Sequence, residues 1–224
     1  MLEAWTGLTT DTININDTIK NYQLVSVLAS INSYPSLEDM ETFMPGFPGT
    51  LANGWTNVTD DDIEWTVNTG ATGSAGTGPN GDHTTGTGIY LYTEASGFSN
   101  MTAELLSPCI EIGSLTTPTL GLAYHMYGAT MGQLYVDVDT GGVWTNIFAL
   151  SGEQHSSNTD PWTEVEVDLT PYIGLVQIRI RGITGTSFTS DIAIDDIHIY
   201  DKLPDDVGVI AINAPVSGCA LGYT

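Results

Sequence analysis

Apolar and polar residues alternate with a period of two along most of residues 55–200, the spacing of strands that bury one face. The pattern predicts strands at 63–67, 89–93, 102–106, 119–127, 132–139, 144–150, 163–168, 176–182 and 192–200. Turn-forming runs such as Thr140-Gly141-Gly142 and Thr184-Gly185-Thr186 separate them at hairpin-like intervals. No stretch in this region keeps a helical period, so the chain reads as all-β, a sandwich or jelly roll.

Other segments break the rhythm. Residues 68–88 form a long Gly/Thr/Ser-rich loop, and loops of that length in compact domains carry function or bind an ion. Residues 43–55 are an irregular Pro/Gly loop. Residues 9–33 favour strands; a helix at 17–29 is the competing reading, which the β-branched residues oppose. A linker follows at 201–206, then a strand at 207–212, and the 18 residues after Asp206 are too few to build a core.

Within the last main strand, residues 190–200, the alternation slips. Ile192 and Ile194 share one face under strict alternation, and Ile197 and Ile199 fall on the other. The slip falls at Asp195-Asp196 and predicts a β-bulge or twist there. Adjacent acids inside a core-forming strand are costly to bury unless a cation or hydrogen-bond donors meet them. A calcium ion is the expected partner.

Composition sharpens this. The chain has 27 acids against four basic residues, Lys20, Arg179, Arg181 and Lys202, for a formal charge of −23. Nucleic acid is not an expected partner, because neutralising phosphates requires Lys and Arg. Such a charge repels itself at short range, so calcium or salt would stabilise the fold. It also suits a solubilising surface in a saline extracellular setting. Cys109 and Cys219 leave a mutual bridge open but make no disulfide framework. Cys109 reads as a small buried strand residue. No run approaches the roughly 20 apolar residues of a membrane helix. Residues 1–3 lack the features of a signal peptide, so the sequence reads as an internal piece of a longer exported protein.

Several motifs then occur in one order. They are Asp62-Ile63-Glu64-Trp65, Gly78-Pro79-Asn80-Gly81-Asp82-His83-Thr84, and Gly88-Ile89-Tyr90-Leu91-Tyr92-Thr93-Glu94-Ala95-Ser96. Leu106-Ser107-Pro108, Tyr124-His125-Met126-Tyr127-Gly128 with Met131-Gly132, and Asp191-Ile192-Ala193-Ile194-Asp195-Asp196-Ile197 complete the set. The set resembles the MAM domain, in the variety found in large bacterial surface proteins, and covers residues 34–201.

The resemblance implies a jelly-roll β-sandwich that mediates adhesion or assembly and performs no catalysis. It implies calcium near the first and last strands of the domain, with Glu41, Asp62, Asp82, Asp195 and Asp196 as ligands. Met40 stands where the family's opening motif has Phe, and the paired cysteines of animal members are missing. Residues 1–33 and 202–224 resemble pieces of neighbouring Ig-like adhesion repeats. Pairing of these flanks, within or between chains, would provide self-association by strand addition.

Other chemistries have less support. Calcium takes six to eight oxygen ligands, which carboxylates and loop carbonyls supply, although Asp195 and Asp196 alone would also serve as backbone acceptors at a bulge. Asp60 and Asp61 read as a solvated turn. His83, His125 and His198 lack zinc-ligand spacing. No acid pair shows the surroundings of a glycosidase, and Ser107, Ser151 and Ser190 lack a nucleophile-elbow context. Among Trp55, Trp65, Trp144, Trp162 and Tyr172, most are expected in the core. Trp144, beside two glycines, is the candidate for stacking on a glycan. The expected product is a calcium-stabilised extracellular or cell-surface module with protein partners. A carbohydrate-binding accessory module of a secreted enzyme is the alternative.

Overall fold

The computed structural model describes residues 30–203. Outside them it describes only the backbone pairing of β1 (Ala4–Trp5) with β2 (Thr18–Ile19). Lys20, Cys219, the strand expected at 207–212 and the expected pairing of the two flanks lie outside the described residues.

The elements then run β3 (Ser30–Ile31), β4 (Ser36–Glu38), β5 (Thr56–Asn57), β6 (Trp65–Thr69), β7 (Ile89–Thr93), β8 (Thr102–Leu106) and β9 (Cys109–Glu111). They continue β10 (Pro118–His125), β11 (Gln133–Asp139), β12 (Trp144–Ser151), β13 (Thr163–Asp168), β14 (Leu175–Ile183) and β15 (Ala193–Asp201). The first sheet is ordered β13-β10-β15-β7-β6, with β4 also against β15. The second is ordered β12-β11-β14-β8-β5, with β9 against β14 and β3 parallel to β9. The all-β sandwich expected from the alternation is the fold. Among the described residues, no helix is long and apolar enough to cross a membrane.

The core lies between the sheets because each strand turns its apolar set inward. Leu120, Leu122, Ile192 and Ile194 of the first sheet meet Leu134, Val136, Ile178 and Ile180 of the second. Trp65 is wholly buried, and its Nε1 donates to the Ala103 carbonyl at 3.2 Å. Gly182 makes room for it, since a Cβ there would come within 3.0 Å of the indole. Cys109 lies in a strand as expected but is only half-buried.

β15 is the hub of the first sheet. β10 lines one of its edges, while β7 and β4 share the other, β7 at Ala193–Ile194 and β4 at Ile197–Ile199. Against β10 the register jumps from Gly121–His198 to Ala123–Asp195, so Asp196 and Ile197 together oppose Leu122. Asp196 takes φ +44°. The extra residue restores the phase, and Ile197 and Ile199 rejoin Ile192 and Ile194 in one core. Strict alternation would have turned them outward, so the bulge is what lets one strand carry both the core and the acid pair.

The outer face of the second sheet is polar. Asp137, nearly inaccessible, accepts from Arg179 Nε at 3.0 Å and from Arg181 Nε at 2.5 Å. Arg179 lies 4.5 Å over the Trp144 ring, and Arg181 lies 4.6 Å over that of Tyr135.

Candidate functional site

The loop at 70–88 is tied to the first sheet by Tyr90, whose hydroxyl donates to the Gly70 carbonyl at 2.7 Å, and Tyr90, Tyr92 and Ala193 form a small cluster against which Trp162 packs. The far side of the loop is pinned to the 156–162 segment. Asn80 N donates to the Asn158 carbonyl at 3.0 Å, and Trp162 Nε1 donates to the Gly81 carbonyl at 3.2 Å. These ties fix Asp82, whose carboxylate accepts from the Thr85 amide at 2.8 Å and the Gly88 amide at 2.6 Å. Burial raises the pKa of Asp82, but these donors together outweigh it and hold the carboxyl below its usual value.

Glu41 reaches the same place from the loop after β4, where its Oε1 accepts the Ile89 amide at 2.9 Å. Gly88 stands between the two acids. A Cβ at that position would lie 2.1 Å from Glu41 Oε1 and 2.9 Å from Asp82 Oδ2. Two carboxylates therefore converge over a residue that has no side chain.

The bulge of β15 sits beside them. Asp195 Oδ2 accepts the His83 amide at 2.9 Å, and its Oδ1 accepts the Asp196 amide at 2.8 Å. Asp196 Oδ2 meets His83 Nδ1 and the Thr84 hydroxyl, each at 2.6 Å. Burial, with the neighbouring charges of Asp196 and Asp82 adding to it, pushes the Asp195 carboxyl up to about 8. His83 Nε2 also lies 3.5 Å from Glu164 Oε1, so this imidazole bridges two acids.

Four of the five expected ligands thus gather around one loop, as the Glu41–Asp82 pair and the Asp195–Asp196 pair. Asp62 does not join them. It accepts the Thr102 amide at 3.0 Å and so caps the edge of β8 in the other sheet. Among the described residues, no three His, Cys, Asp or Glu side chains stand close enough to form a metal-holding group. The carboxylates of Asp82, Asp195 and Asp196 are met by backbone amides, by the Thr84 and Thr85 hydroxyls and by the His83 ring, not by a lysine or arginine. The described arginines are held by Asp137, and Lys202 is paired with Glu166.

The remaining candidates separate. His125 is buried and stacked on His155 with centroids 4.2 Å apart, while His198 lies edge-on to Tyr200. His83 and His125 both approach Trp162, at 6.1 and 5.7 Å between ring centroids, and His198 lies with Tyr200. Trp144 is half-buried and carries Arg179 on one face.

Asp191 escaped the sequence reading as a separate feature. It is fully buried, accepts the Ala95 amide through Oδ1 at 3.0 Å, and leaves Oδ2 without a partner. Burial, with the Glu94 charge adding, raises its carboxyl to about 7. The motif contained it, but only the fold shows that its second oxygen is stranded.

The fold has counterparts among solved structures. The K1 cleaved adhesin domain of Lys-gingipain from Porphyromonas gingivalis W83 superposes with a TM-score of 0.51 at 15% identity, covering 76% of this chain and 99% of that one. The K2 cleaved adhesin domain of the same protein gives 0.53 at 17% identity, covering 76% of this chain and 100% of that one. These likenesses concern fold alone.

Sequence relatives are nearer. Neuropilin-1a of Danio rerio is 30% identical over 155 residues, which is 67% of this chain and 16% of that protein. MAM domain-containing protein 2 of Homo sapiens is 36% identical over 136 residues, 59% of this chain and 19% of that protein. The chain therefore spans less than a fifth of the length of either relative, 16% and 19%. Residues 48–203 match the family described as MAM domain, meprin/A5/mu, and the chain belongs to that family.

Proposed function

We propose that this domain is a non-catalytic, extracellular adhesion module that binds proteins, and that calcium braces its loop at 70–88. Membership of the MAM family over residues 48–203 supports the adhesive role. The convergence of Glu41 and Asp82 over Gly88, beside buried Asp195, supports the ion. Calcium accepts irregular sets of carboxylate, carbonyl and water oxygens, and loops supply them. Bound there, it would neutralise carboxylates that otherwise repel across a short distance. Asp62 lies with the other sheet and has no part in this set.

Two measurements test the reading. Thermal unfolding with and without a calcium chelator should show a lower Tm after chelation in the wild type and no change in Asp82→Asn. A wild-type Tm that ignores the chelator would sink the calcium clasp. Beads coated with the chain should aggregate with one another or with beads carrying extracellular protein; beads that stay dispersed in every pairing would refute adhesion.

The parent is read as a larger exported protein, with a bacterial surface protein as the specific proposal. Strand addition through the flanks would then link copies into a filament. Deletion of residues 207–224 should abolish such assembly, seen as a loss of concentration-dependent light scattering.

A carbohydrate-binding accessory role is the second reading. It rests on the strip of Trp144 and Tyr135 with Arg179 and Arg181 over their rings. Trp144→Ala should then remove glycan binding on an array while the fold survives.

A further inference from the structure

Away from the clasp, a cavity of ≈ 210 Å³ opens at the β6 edge of the first sheet. Phe47, Pro48, Ile63 and Phe98 wall it. Phe47 keeps 70% of its surface exposed, high for a phenylalanine on a folded domain. The segment carrying it is stitched in place. Met44 and Thr50 exchange backbone bonds of 2.9 and 3.0 Å, and Val67 N donates to the Pro48 carbonyl at 2.7 Å. The aromatic wall is thus held by the sheet edge.

Three acidic residues, Asp62, Glu64 and Glu94, complete the lining of this mainly apolar cavity. Their placement follows from the strands. Trp65 and Val67 point into the core, so Glu64 and Thr66 point the opposite way. Trp65 pairs with Thr93 at the end of the β6–β7 ladder, and the same register continued one residue further would bring Glu64 across from Glu94. Like charges facing each other across a ladder destabilise it unless something intervenes. Asp62 accepts the Thr102 amide at 3.0 Å, and Glu94 accepts the Ser96 amide through Oε1 at 2.7 Å and the Tyr92 hydroxyl through Oε2 at 3.2 Å. Glu64 Oε2 is buried and has no hydrogen-bond partner.

A buried carboxylate oxygen without a donor costs free energy that a cation would remove. No basic residue lines the cavity. The complementary ligand has a compact positive head for the acids and an apolar stem for the aromatic and proline walls. A lysine side chain is that combination, whereas arginine spreads its charge over a wider planar group. The formal charge of −23 would also draw a basic surface toward the domain.

We propose that this cavity docks a lysine side chain of a partner protein, its ammonium between Glu64 and Glu94 and its stem along Phe47, Pro48 and Phe98. The proposal gives a chemistry to the partner in the adhesive reading and does not depend on the calcium clasp.

The test is a titration of the whole isotope-labelled chain with acetyl-Gly-Lys-Gly-amide, followed by amide chemical shifts. Saturable shifts at Glu64, Thr66, Glu94 and Phe98 are expected. Peptides carrying Nε-acetyl-lysine or norleucine should bind about tenfold more weakly, as should the Glu64→Gln variant with the lysine peptide. Phe47→Ala should also weaken binding, through the stem. Glu64→Gln should melt at or above the wild-type temperature, because it removes a charge facing Glu94, so lost binding will not reflect lost folding. Equal binding of the lysine and acetyl-lysine peptides would overturn the proposal. So would an absence of saturable shifts at those amides, tighter binding of an arginine peptide, or displacement of the lysine peptide by calcium at the same amides. Bead adhesion in the face of any of these outcomes would leave the adhesive role standing and remove the lysine site alone.

Discussion

His83 Nδ1 lies 2.6 Å from Asp196 Oδ2, joining the loop at 70–88 to a strand 113 positions further along the chain. The same oxygen accepts the Thr84 hydroxyl at 2.6 Å. Asp196 also stands at φ +44°, a backbone region that Asp and Asn tolerate better than most side chains. Side chain and backbone therefore both specify this residue. Asp196→Ala is expected to lower stability by about 2 kcal/mol, through the lost hydrogen bonds and the left-handed backbone. Asp196→Asn should cost about half as much, about 1 kcal/mol. Urea unfolding measures both, and equal losses would show that the backbone conformation contributes nothing.

Gly88 offers a second handle on the clasp. A methyl group there would overlap Glu41 Oε1, at 2.1 Å, and press on Asp82 Oδ2. Gly88→Ala should therefore move Glu41 off the Ile89 amide and cost about 1–3 kcal/mol. In calcium its melting point should fall further below wild type than in chelator, because the acids would no longer converge. Equal deficits in the two buffers would separate Gly88 from ion binding.

His125 predicts how the domain responds to acid. Its ring is fully buried, and neither nitrogen has a hydrogen-bond partner. Burial first, and the stacked His155 second, lower its pKa to about 4, while the Asp160 carboxylate and the nearby Asp160 and Ser157 carbonyls pull weakly the other way. The folded value lies below the usual 6.5, so the unfolded chain binds more protons between the two. His125 thus favours folding fully above pH 6.5, and that contribution is lost as the pH falls toward 4. It amounts to on the order of 3 kcal/mol. His125→Phe should lose less stability than the wild type across that window. Parallel slopes for the two proteins, in chemical denaturation at stepped pH, would dismiss His125 as the acid-sensitive group.

Asp137 carries two arginines on the opposite sheet. Replacing it with alanine leaves Arg179 and Arg181 facing each other without their shared acceptor, although Glu104 still meets Arg179 at 3.2 Å. The expected cost is about 2–3 kcal/mol, below that of a fully buried pair because both guanidinium groups reach solvent. Trp144→Ala should cost about 0.5–1 kcal/mol through the lost contact with Arg179. A larger loss for Trp144 than for Asp137, in thermal unfolding, would mean that the indole anchors the face.

Much of the fold was legible because its strands obey a local rule. The strands expected at 89–93, 102–106 and 163–168 match β7, β8 and β13 residue for residue. The others, such as 192–200 for β15, shift by a few residues at most. β4 and β5 were missed, since two or three residues are too short to show a period. The bulge was visible as a phase slip, but only the register against Gly121 and Ala123 showed that it returns Ile197 to the core. The acids were legible as residues and not as partners. Asp62 looks like a ligand in sequence, yet the bridge from Ile63 to Ala103 carries it to the other sheet. That Glu64 and Glu94 line one cavity follows from the β6–β7 pairing, which no local pattern encodes.

The shared edge of β15 has a mechanical consequence. Ser36 pairs with Ile199 and Glu38 with Ile197, so the first strand of the first sheet lies antiparallel to its last. The two places where a longer polypeptide would join the domain are therefore neighbours at one pole. Tension between such neighbours would first part the two-residue β3–β9 pairing that precedes β4, and would then open the short β4–β15 ladder one residue pair at a time, like a zip, without shearing it along its length. Until that ladder parts, the sandwich hangs beside the line of force, and the loops at 70–88 and 44–50 keep their shape under load.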